Sequence, residues 1–241
     1  LHNRADRKAQ VTDFLSFLKN EYLLPPDGGT ALDIGCGVGD YALGLAREGY
    51  KTTGIDLSDG MIHGAKQLAD KEGLDVSLYI APWSEGTRQR LGWNKTFDLA
   101  YSIFCPIMFD VENIRAMHDA SHDTCLWIAF SERMDETVDM LSEHFFGRDS
   151  FPWAGKLKEC LDAIHEIGHN VKVTYKTVPE TEVMSLDKAV DYFTLRLHNN
   201  EWGTIEDMKR EIRQLIEPRA IDGEIHNKTV DTVAWVSWSV N

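Results

Sequence analysis

The sequence is short of basic residues and has no long apolar run. Its 241 residues include 25 lysines and arginines against 39 aspartates and glutamates, which gives a formal net charge of −14 at pH 7. No basic cluster offsets this charge, so the sequence shows no source of attraction to a phosphate backbone or an anionic membrane. No apolar run approaches the roughly 20 residues that a membrane-spanning helix needs. The composition therefore argues against a nucleic acid or a membrane as the partner.

Cysteine is also scarce, and its spacing indicates neither a metal site nor a redox motif. The four cysteines are Cys36, Cys105, Cys125 and Cys160. They lack C-x-x-C spacing, and three of them lie in apolar segments. With no signal-peptide pattern in the first residues given, this usage predicts a cytoplasmic protein. No repeat or low-complexity linker interrupts the sequence, so we expect residues 1–241 to form a single domain.

What the sequence does contain is a glycine-rich turn, LDIGCGVGD, from Leu32 to Asp40. The apolar residues at its start predict a buried strand, and those after it predict a helix that ends at Gly49. Three glycines between them can adopt positive φ and let a ligand approach the backbone closely: Gly35, Gly37 and Gly39. A dinucleotide fingerprint would need a glycine where Asp40 stands, so an NAD(P)-linked oxidoreductase is only a remote alternative.

A second acidic motif follows at the end of the next predicted strand, KTTGIDLS, which closes on Asp56. A carboxylate at this position can accept hydrogen bonds from both hydroxyls of a ribose. The pairing of LDIGCGVGD with GIDLS resembles the class I S-adenosylmethionine (SAM)-dependent methyltransferases, over roughly residues 31–130. The resemblance implies SAM as the cofactor, with Asp33 and the glycine turn at its methionine end and Asp56 on its ribose. It implies these cofactor-binding residues: Asp33, Gly35, Cys36, Gly37, Gly39, Asp56, Leu57, Met61, Ala81, Pro82, Trp83, Ser102 and Ile103.

Two segments depart from the pattern of that family. After the third predicted strand, relatives often carry an acid that holds the adenine amino group, whereas this chain has Ala81, Pro82 and Trp83. Backbone groups there or the carboxylate of Glu85 could serve the adenine, and the indole could cover its face or simply pack in the core. The fourth-strand segment SIFCPIMFD differs from the NPPY-type signature of enzymes that methylate amino groups of nucleobases. Methylation of such a group is therefore not indicated.

Strand and helix patterns alternate through residue 130, which predicts a parallel sheet with right-handed crossovers. We expect an α/β fold with a doubly wound, seven-stranded, mostly parallel sheet. Residues 171–185 and 229–240 predict strands, and the resemblance implies that they form an antiparallel pair at the end of the sheet. Residues 1–24 predict an amphipathic helix, from Arg4 to Leu24. The resemblance implies that this helix caps the cofactor site. Residues 186–218 predict two helices inserted between the last two strands, which analogy with the family makes a lid over the acceptor.

The resemblance implies a methyltransferase that passes the methyl group in line to a small-molecule acceptor. A SAM-binding protein without turnover, serving regulation or a partner, is the alternative. A general base is needed only if the acceptor must lose a proton, and no spacing singles one out. The candidates are Cys105, Asp110, Glu132 and His198. Aromatic residues could wall the acceptor site, although we expect most to be core: Phe104, Phe109, Trp153, Tyr192, Phe193 and Trp202.

The histidine patterns do not predict a metal site. HEIGH, from His165 to His169, matches the zinc motif H-E-x-x-H, which needs both histidines on one helix. Gly168 and Asn170 predict that the helix ends before His169. His118 and His122 share the same spacing, and we expect them in a solvated loop.

Overall fold

The computed structural model describes residues 4–25, 28–147, 155–198 and 202–241. In these residues nine α-helices and seven strands are found. The helices are α1 (Arg4–Asn20), α2 (Asp40–Arg47), α3 (Asp59–Glu72), α4 (Glu85–Arg90), α5 (Val111–Ala120), α6 (Glu136–Phe146), α7 (Lys156–Ile167), α8 (Leu186–Leu197) and α9 (Ile205–Ile216). The strands are β1 (Thr30–Ile34), β2 (Lys51–Asp56), β3 (Val76–Ile80), β4 (Phe97–Ile103), β5 (Ser121–Asp135), β6 (His169–Ser185) and β7 (Glu224–Ser239). None of the described helices is long and apolar enough to cross a membrane.

The strands form one sheet in the order β3-β2-β1-β4-β5-β7-β6. The pairs β1–β2, β2–β3, β1–β4 and β4–β5 are parallel, and β7 runs antiparallel. The predicted doubly wound sheet with an antiparallel strand near its end is therefore confirmed. Because β2 and β4 flank β1, the strand order reverses there, and such a switch point opens a crevice at the carboxyl ends of the strands.

Two strands are longer than the sequence predicts. The pattern indicated residues 124–130 for β5, whereas β5 runs to Asp135, and β7 begins at Glu224 rather than near residue 229. The additional residues of β5, 131–135, are mostly polar and lack the apolar pattern that predicts a buried strand. Its Ser131 hydroxyl donates a hydrogen bond to the Thr232 carbonyl of β7 at 3.0 Å. Tertiary pairing thus extends both strands beyond their apolar stretches.

The described residues fall into two compact units. The first unit comprises those of Leu1–Ala129, Gly155–Thr174 and Ala234–Asn241. Its core lies around β1 and β4 and includes large, fully buried side chains from β5 and β7, Trp127 and Trp238.

The second unit comprises the described residues of Phe130–Ala154 and Tyr175–Val233. It contains α6, α8 and α9 and has an apolar core of its own, which includes Leu141, Phe193 and Met208. The two helices predicted within residues 186–218 are confirmed as α8 and α9. Because β5, β6 and β7 each contribute residues to both units, no linker-like stretch in the sequence marks the division.

The N-terminal helix packs against α2. Phe14 of α1 is fully buried, and its ring lies 5.2 Å from the ring of Tyr41 and 5.0 Å from that of Tyr101. A Cβ at Gly44 of α2 would lie 2.6 Å from Val11 Cγ1, so only glycine permits this close approach. The helix ends at Asn20, not at Leu24. The expected apolar position at residue 22 was wrong, since Tyr22 has a φ of 54° and is 90% exposed.

Candidate cofactor-binding site

The glycine turn joins β1 to α2 at the switch point of the sheet. All three predicted glycines have positive φ: 75° at Gly35, 54° at Gly37 and 81° at Gly39. A Cβ at Gly35 would lie 2.4 Å from the sulfur of Cys105, so this glycine is needed for packing. At Gly37, no described atom beyond its chain neighbours lies within 4 Å of the Cβ position. The turn therefore presents bare backbone to open space at Gly37, which suits close approach by a ligand.

Asp56, at the end of β2, holds this turn in place. Its Oδ2 accepts a hydrogen bond from the Gly37 amide at 2.9 Å, and its Oδ1 accepts one from the Ser58 amide at 2.8 Å. A carboxylate has about four acceptor positions, so about two remain for other donors. The half-buried carboxylate can therefore accept ribose hydroxyls while it keeps the turn closed.

Asp33 lies at the other side of the turn, inside the protein. It is 2% exposed, and its Oδ2 has no hydrogen-bond partner among the described residues. Burial raises the pKa of this carboxyl group to about 7, although the Tyr101 hydroxyl and the Ala42 amide oppose the shift. A buried polar atom without a partner beside a bare glycine turn is the kind of feature that a bound ligand would explain.

The segment after β3 divides into exposed and buried residues. The apolar side chains of Leu57, Met61 and Ile80 are exposed, although apolar groups of this size commonly lie inside. The Ala81 amide donates to the Asp56 carbonyl at 3.0 Å, and Pro82 is exposed. Ala81 thus ties the end of β3 to the end of β2, on which the Asp56 carboxylate lies.

Trp83 and Glu85 each make hydrogen bonds to other residues of the protein. Trp83 is 5% exposed, and its indole N–H donates to the Asn113 carbonyl at 3.1 Å. Glu85 accepts two hydrogen bonds from Arg88, at 2.8 and 2.7 Å, and this guanidinium lowers the pKa of the carboxyl group. The geometry favours packing for Trp83 and an ion pair for Glu85 over contact with an adenine.

The end of β4 carries a strained residue that sequence reasoning missed. Ser102 is fully buried and donates to the Ile34 carbonyl of β1 at 2.7 Å, while Ile103 is buried. Phe104, the next residue, has a φ of 52°, a conformation that bulky side chains rarely adopt. Its amide donates to the Ile128 carbonyl of β5 at 2.9 Å. Nothing in the sequence marks Phe104 as left-handed, because the constraint comes from neighbouring strands.

The four candidate general bases are divided between the two units. Cys105 is half-buried against Gly35, and burial raises the pKa of its thiol. Asp110 caps α5, where its carboxylate accepts from the Glu112 amide at 2.8 Å. Glu132 and His198 belong to the second unit. No catalytic base is assigned from this arrangement.

Most of the candidate aromatic residues are packed in cores. Phe109 lies 5.2 Å from Trp127, and Trp202 lies 4.6 Å from Phe145, measured between ring centroids. Phe193 is fully buried in the second unit, and Tyr192 packs against it. Trp153 lies outside the described residues.

The histidines occupy different positions from one another. His165 is in the last turn of α7, and His169 opens β6, so the HEIGH motif does not lie on one helix. The prediction of a solvated loop for His118 and His122 was wrong. His118 lies in α5, where its Nδ1 accepts a hydrogen bond from the Trp238 indole at 3.2 Å, and burial lowers its pKa. His122 lies in β5, 3.1 Å from a carboxylate oxygen of Asp98.

Comparisons with known proteins agree with this geometry. Residues 31–125 match the family described as "Methyltransferase domain". A Geobacillus sp. (strain WCH70) protein named as a methyltransferase is 40% identical over 74 residues, which is 31% of this chain and 28% of the relative. YqeM of Bacillus subtilis (strain 168), also named as a methyltransferase, is 24% identical over 176 residues, covering 58% of this chain and 67% of YqeM. The chain thus matches only about a quarter of the length of the first relative.

The fold is shared with solved structures. The crystal structure of a Bacillus halodurans C-125 protein named as a methyltransferase aligns with a TM-score of 0.61 at 13% identity, covering 93% of this chain and 97% of the other. Residues 31–125 thus carry a methyltransferase domain, and the sheet order and the glycine turn agree with the class I SAM-dependent type. The bare turn at Gly37, the orphaned Asp33 oxygen and the free acceptor positions of Asp56 fit SAM as the cofactor.

Acceptors differ among other relatives that match over short segments. One, from Pyrococcus abyssi, is named for methyl transfer to a uracil of 23S ribosomal RNA and is 34% identical over 71 residues. Another, from Paramagnetospirillum magneticum, is named as a ubiquinone biosynthesis O-methyltransferase and is 34% identical over 88 residues. These matches do not establish an acceptor.

Proposed function

We propose that this protein transfers the methyl group of SAM to a small-molecule acceptor. The observation that carries the proposal is the hydrogen bond between the Asp56 carboxylate and the Gly37 amide at 2.9 Å. It places a carboxylate with free acceptor positions beside a turn that is open to a ligand, at the switch point of the sheet.

Each group of the chain has a distinct task in this proposal. When bound, SAM supplies an electrophilic methyl group on a sulfonium centre. Asp56 accepts hydrogen bonds from the ribose, and the glycine turn lets the backbone approach the amino-acid end. Leu57, Met61 and Ile80 offer apolar surface, which the flat adenine ring would cover.

Orientation and exclusion of water supply the rate in such a reaction. Methyl transfer disperses the sulfonium charge, so a dry pocket that aligns donor and acceptor lowers the barrier without an obligatory acid or base. The insertion between β6 and β7 contains α8 and α9. The amphipathic pattern of α9, with Met208, Ile212 and Ile216 buried, gives the insertion a core of its own.

Charge supports a small acceptor over ribosomal RNA. With a net charge of −14, the protein would repel a phosphate backbone unless a basic surface offset the repulsion. Many of the described cations are paired on the surface, among them Lys19 with Glu48, Arg47 with Glu72 and Lys209 with Asp191. A polyanion would have to compete with these carboxylates.

Turnover with methyl-labelled SAM tests the proposal. The label should pass to at least one member of a broad panel of small hydroxyl, thiol, amine and carbon acceptors, and not to ribosomal RNA. Transfer to RNA alone would contradict the small-molecule acceptor. SAM binding without transfer to any acceptor would instead support a regulatory SAM-binding protein.

A further inference from the structure

Asp33 is a buried acid without a counter-charge. The described titratable groups that interact with it are neutral or acidic. Tyr101 lies on β4 and Cys105 shortly after it, and Asp40 and Tyr41 lie on α2. Asp56 ends β2, and Cys36 lies in the glycine turn. Arg7 of α1 contacts Asp40 at 3.3 Å, on the exposed side of α2. The described surroundings therefore favour a carboxyl group that keeps its proton.

The hydrogen bonding around Asp33 is also incomplete. Neither Asp33 Oδ2 nor the Tyr101 hydroxyl has a partner of ordinary hydrogen-bond geometry among the described residues. Both groups are almost fully buried, and Phe14 of α1 packs 5.0 Å from the Tyr101 ring. An ionised carboxylate in such a place is costly unless a cation comes close. SAM brings two positive groups, its sulfonium and its α-ammonium.

We propose that Asp33 is a neutral carboxylic acid in the cofactor-free protein and ionises when SAM binds, so that cofactor binding releases a proton to solvent. This inference rests on the proposed function, since it needs a cationic cofactor in the crevice. The proton that leaves the carboxyl group goes to buffer, and the resulting carboxylate balances positive charge of the cofactor. No covalent bond besides that O–H bond changes.

The affinity for SAM then depends on pH in a defined way. The pKa of Asp33 in the free protein is raised to about 7, mainly by burial. If only the ionised form binds well, the apparent dissociation constant equals the intrinsic constant divided by the ionised fraction of Asp33. The apparent constant should then fall about tenfold between about pH 6 and about pH 8. At about pH 7, binding should release roughly half a proton.

Calorimetric titration of the full chain with SAM, in buffers of different ionisation enthalpy, measures the released proton directly. Wild type should release roughly half a proton at about pH 7. Asp33→Asn should bind SAM more weakly, and at a protein concentration high enough to measure that binding it should release less by the same amount. The α-amino group of SAM titrates near pH 8, so the comparison is repeated at about pH 6, where this group is protonated in free SAM and wild type should release close to one proton. Asp70→Asn, at an exposed acid of α3, is the matched control and should behave as wild type.

A second variant tests the neighbour of Asp33. The Tyr101 hydroxyl opposes the rise in the pKa of Asp33, so Tyr101→Phe should move the midpoint of the pH dependence upward. A merely structural role of Tyr101 would change affinity without moving the midpoint. Infrared difference spectra give an independent readout, since SAM should remove a protonated carboxyl band from wild type and none from Asp33→Asn.

The outcomes separate this inference from the proposed function. SAM binding with equal proton release in wild type and Asp33→Asn would overturn the ionisation of Asp33 and leave the SAM site in place. Failure of SAM to bind the wild type at any pH would overturn both.

Discussion

Two buried aspartates, one in each unit, differ in how completely their carboxyl groups are hydrogen-bonded. Asp135 of the second unit is 1% exposed and accepts hydrogen bonds from the Val138 amide at 3.0 Å, Asn227 at 3.0 Å and Arg196 at 2.7 Å. Asp33 of the first unit is 2% exposed and has an oxygen without a partner. Removing a partner from a fully paired buried carboxylate is costly, whereas a carboxyl group with an oxygen left unpaired keeps a polar position available for a ligand.

The difference extends to the surroundings of the two residues. Around Asp135, side chains of β5, α8 and β7 complete a network in which Arg196 also contacts the Tyr192 hydroxyl at 3.0 Å. Around Asp33, the glycine turn leaves Gly37 facing open space. Asp135 thus finds its hydrogen-bond partners within its own unit, whereas Asp33 leaves an acceptor without a partner beside the glycine turn, at a cost in stability.

The largest effect should follow from breaking the paired aspartate. Arg196→Met leaves Asp135 buried without its cation and should lower the free energy of unfolding by about 3–5 kcal/mol. Urea denaturation measures the loss. Arg213→Met, which breaks the exposed ion pair with Asp187, is the control and should cost less than about 1 kcal/mol. Equal losses in the two variants would show that the Asp135 network contributes no more than a surface pair.

Replacing the unpaired aspartate, Asp33, should raise the free energy of unfolding rather than lower it. The pKa of Asp33 is raised to about 7 in the native protein, whereas an aspartate in the unfolded chain loses its proton near pH 4. The contribution of Asp33 to the free energy of unfolding therefore falls as the pH rises from about 4 to about 7. Asp33→Asn should therefore be more stable than wild type at about pH 8, by about 1–4 kcal/mol, with a smaller difference at about pH 4. Denaturation curves at both pH values check this. A destabilised variant at the higher pH would contradict the unpaired state of Asp33.

Asp56 is intermediate between the two buried aspartates, because its carboxylate accepts hydrogen bonds from the Gly37 and Ser58 amides and still has acceptor positions left. Asp56→Ala removes a charge-assisted hydrogen-bond acceptor and should weaken SAM binding by about 1–3 kcal/mol. Asp70→Ala on α3 serves as its control in the same calorimetric titration and should leave the affinity unchanged. If Asp56→Ala binds SAM as tightly as wild type does, the ribose assignment is wrong.

The smallest expected change concerns Trp83. Trp83→Phe removes the indole N–H that the Asn113 carbonyl accepts, and it should reduce stability by about 1–2 kcal/mol. Because the side chain packs in the core, the affinity for SAM should stay within about twofold of wild type. A large loss of affinity with unchanged stability would restore Trp83 as an adenine contact.

The sequence predicted those parts that depend on local pattern. Alternating strands and helices predict a parallel sheet with right-handed crossovers, and glycines at fixed spacing place the turn between β1 and α2. The acid at the end of β2 was found because parallel strands carry their ligands at the carboxyl edge. Its hydrogen bond to Gly37 adds a contact that spacing alone does not show.

The remaining features depend on contacts between distant segments. The left-handed Phe104 is held by β5, and the bond from Trp238 to His118 joins residues 120 positions apart. The isolation of Asp33 arises only when α1, α2 and β4 pack around it. No periodicity or motif encodes such contacts, so sequence reasoning placed His118 in a loop and left Phe104 unremarked.

Recognition of SAM by this chain is measured most directly by calorimetric titration with SAM, its demethylated product and NAD. SAM and the product should compete for one site per chain, and NAD should not bind. Binding of NAD with no binding of SAM would contradict this prediction.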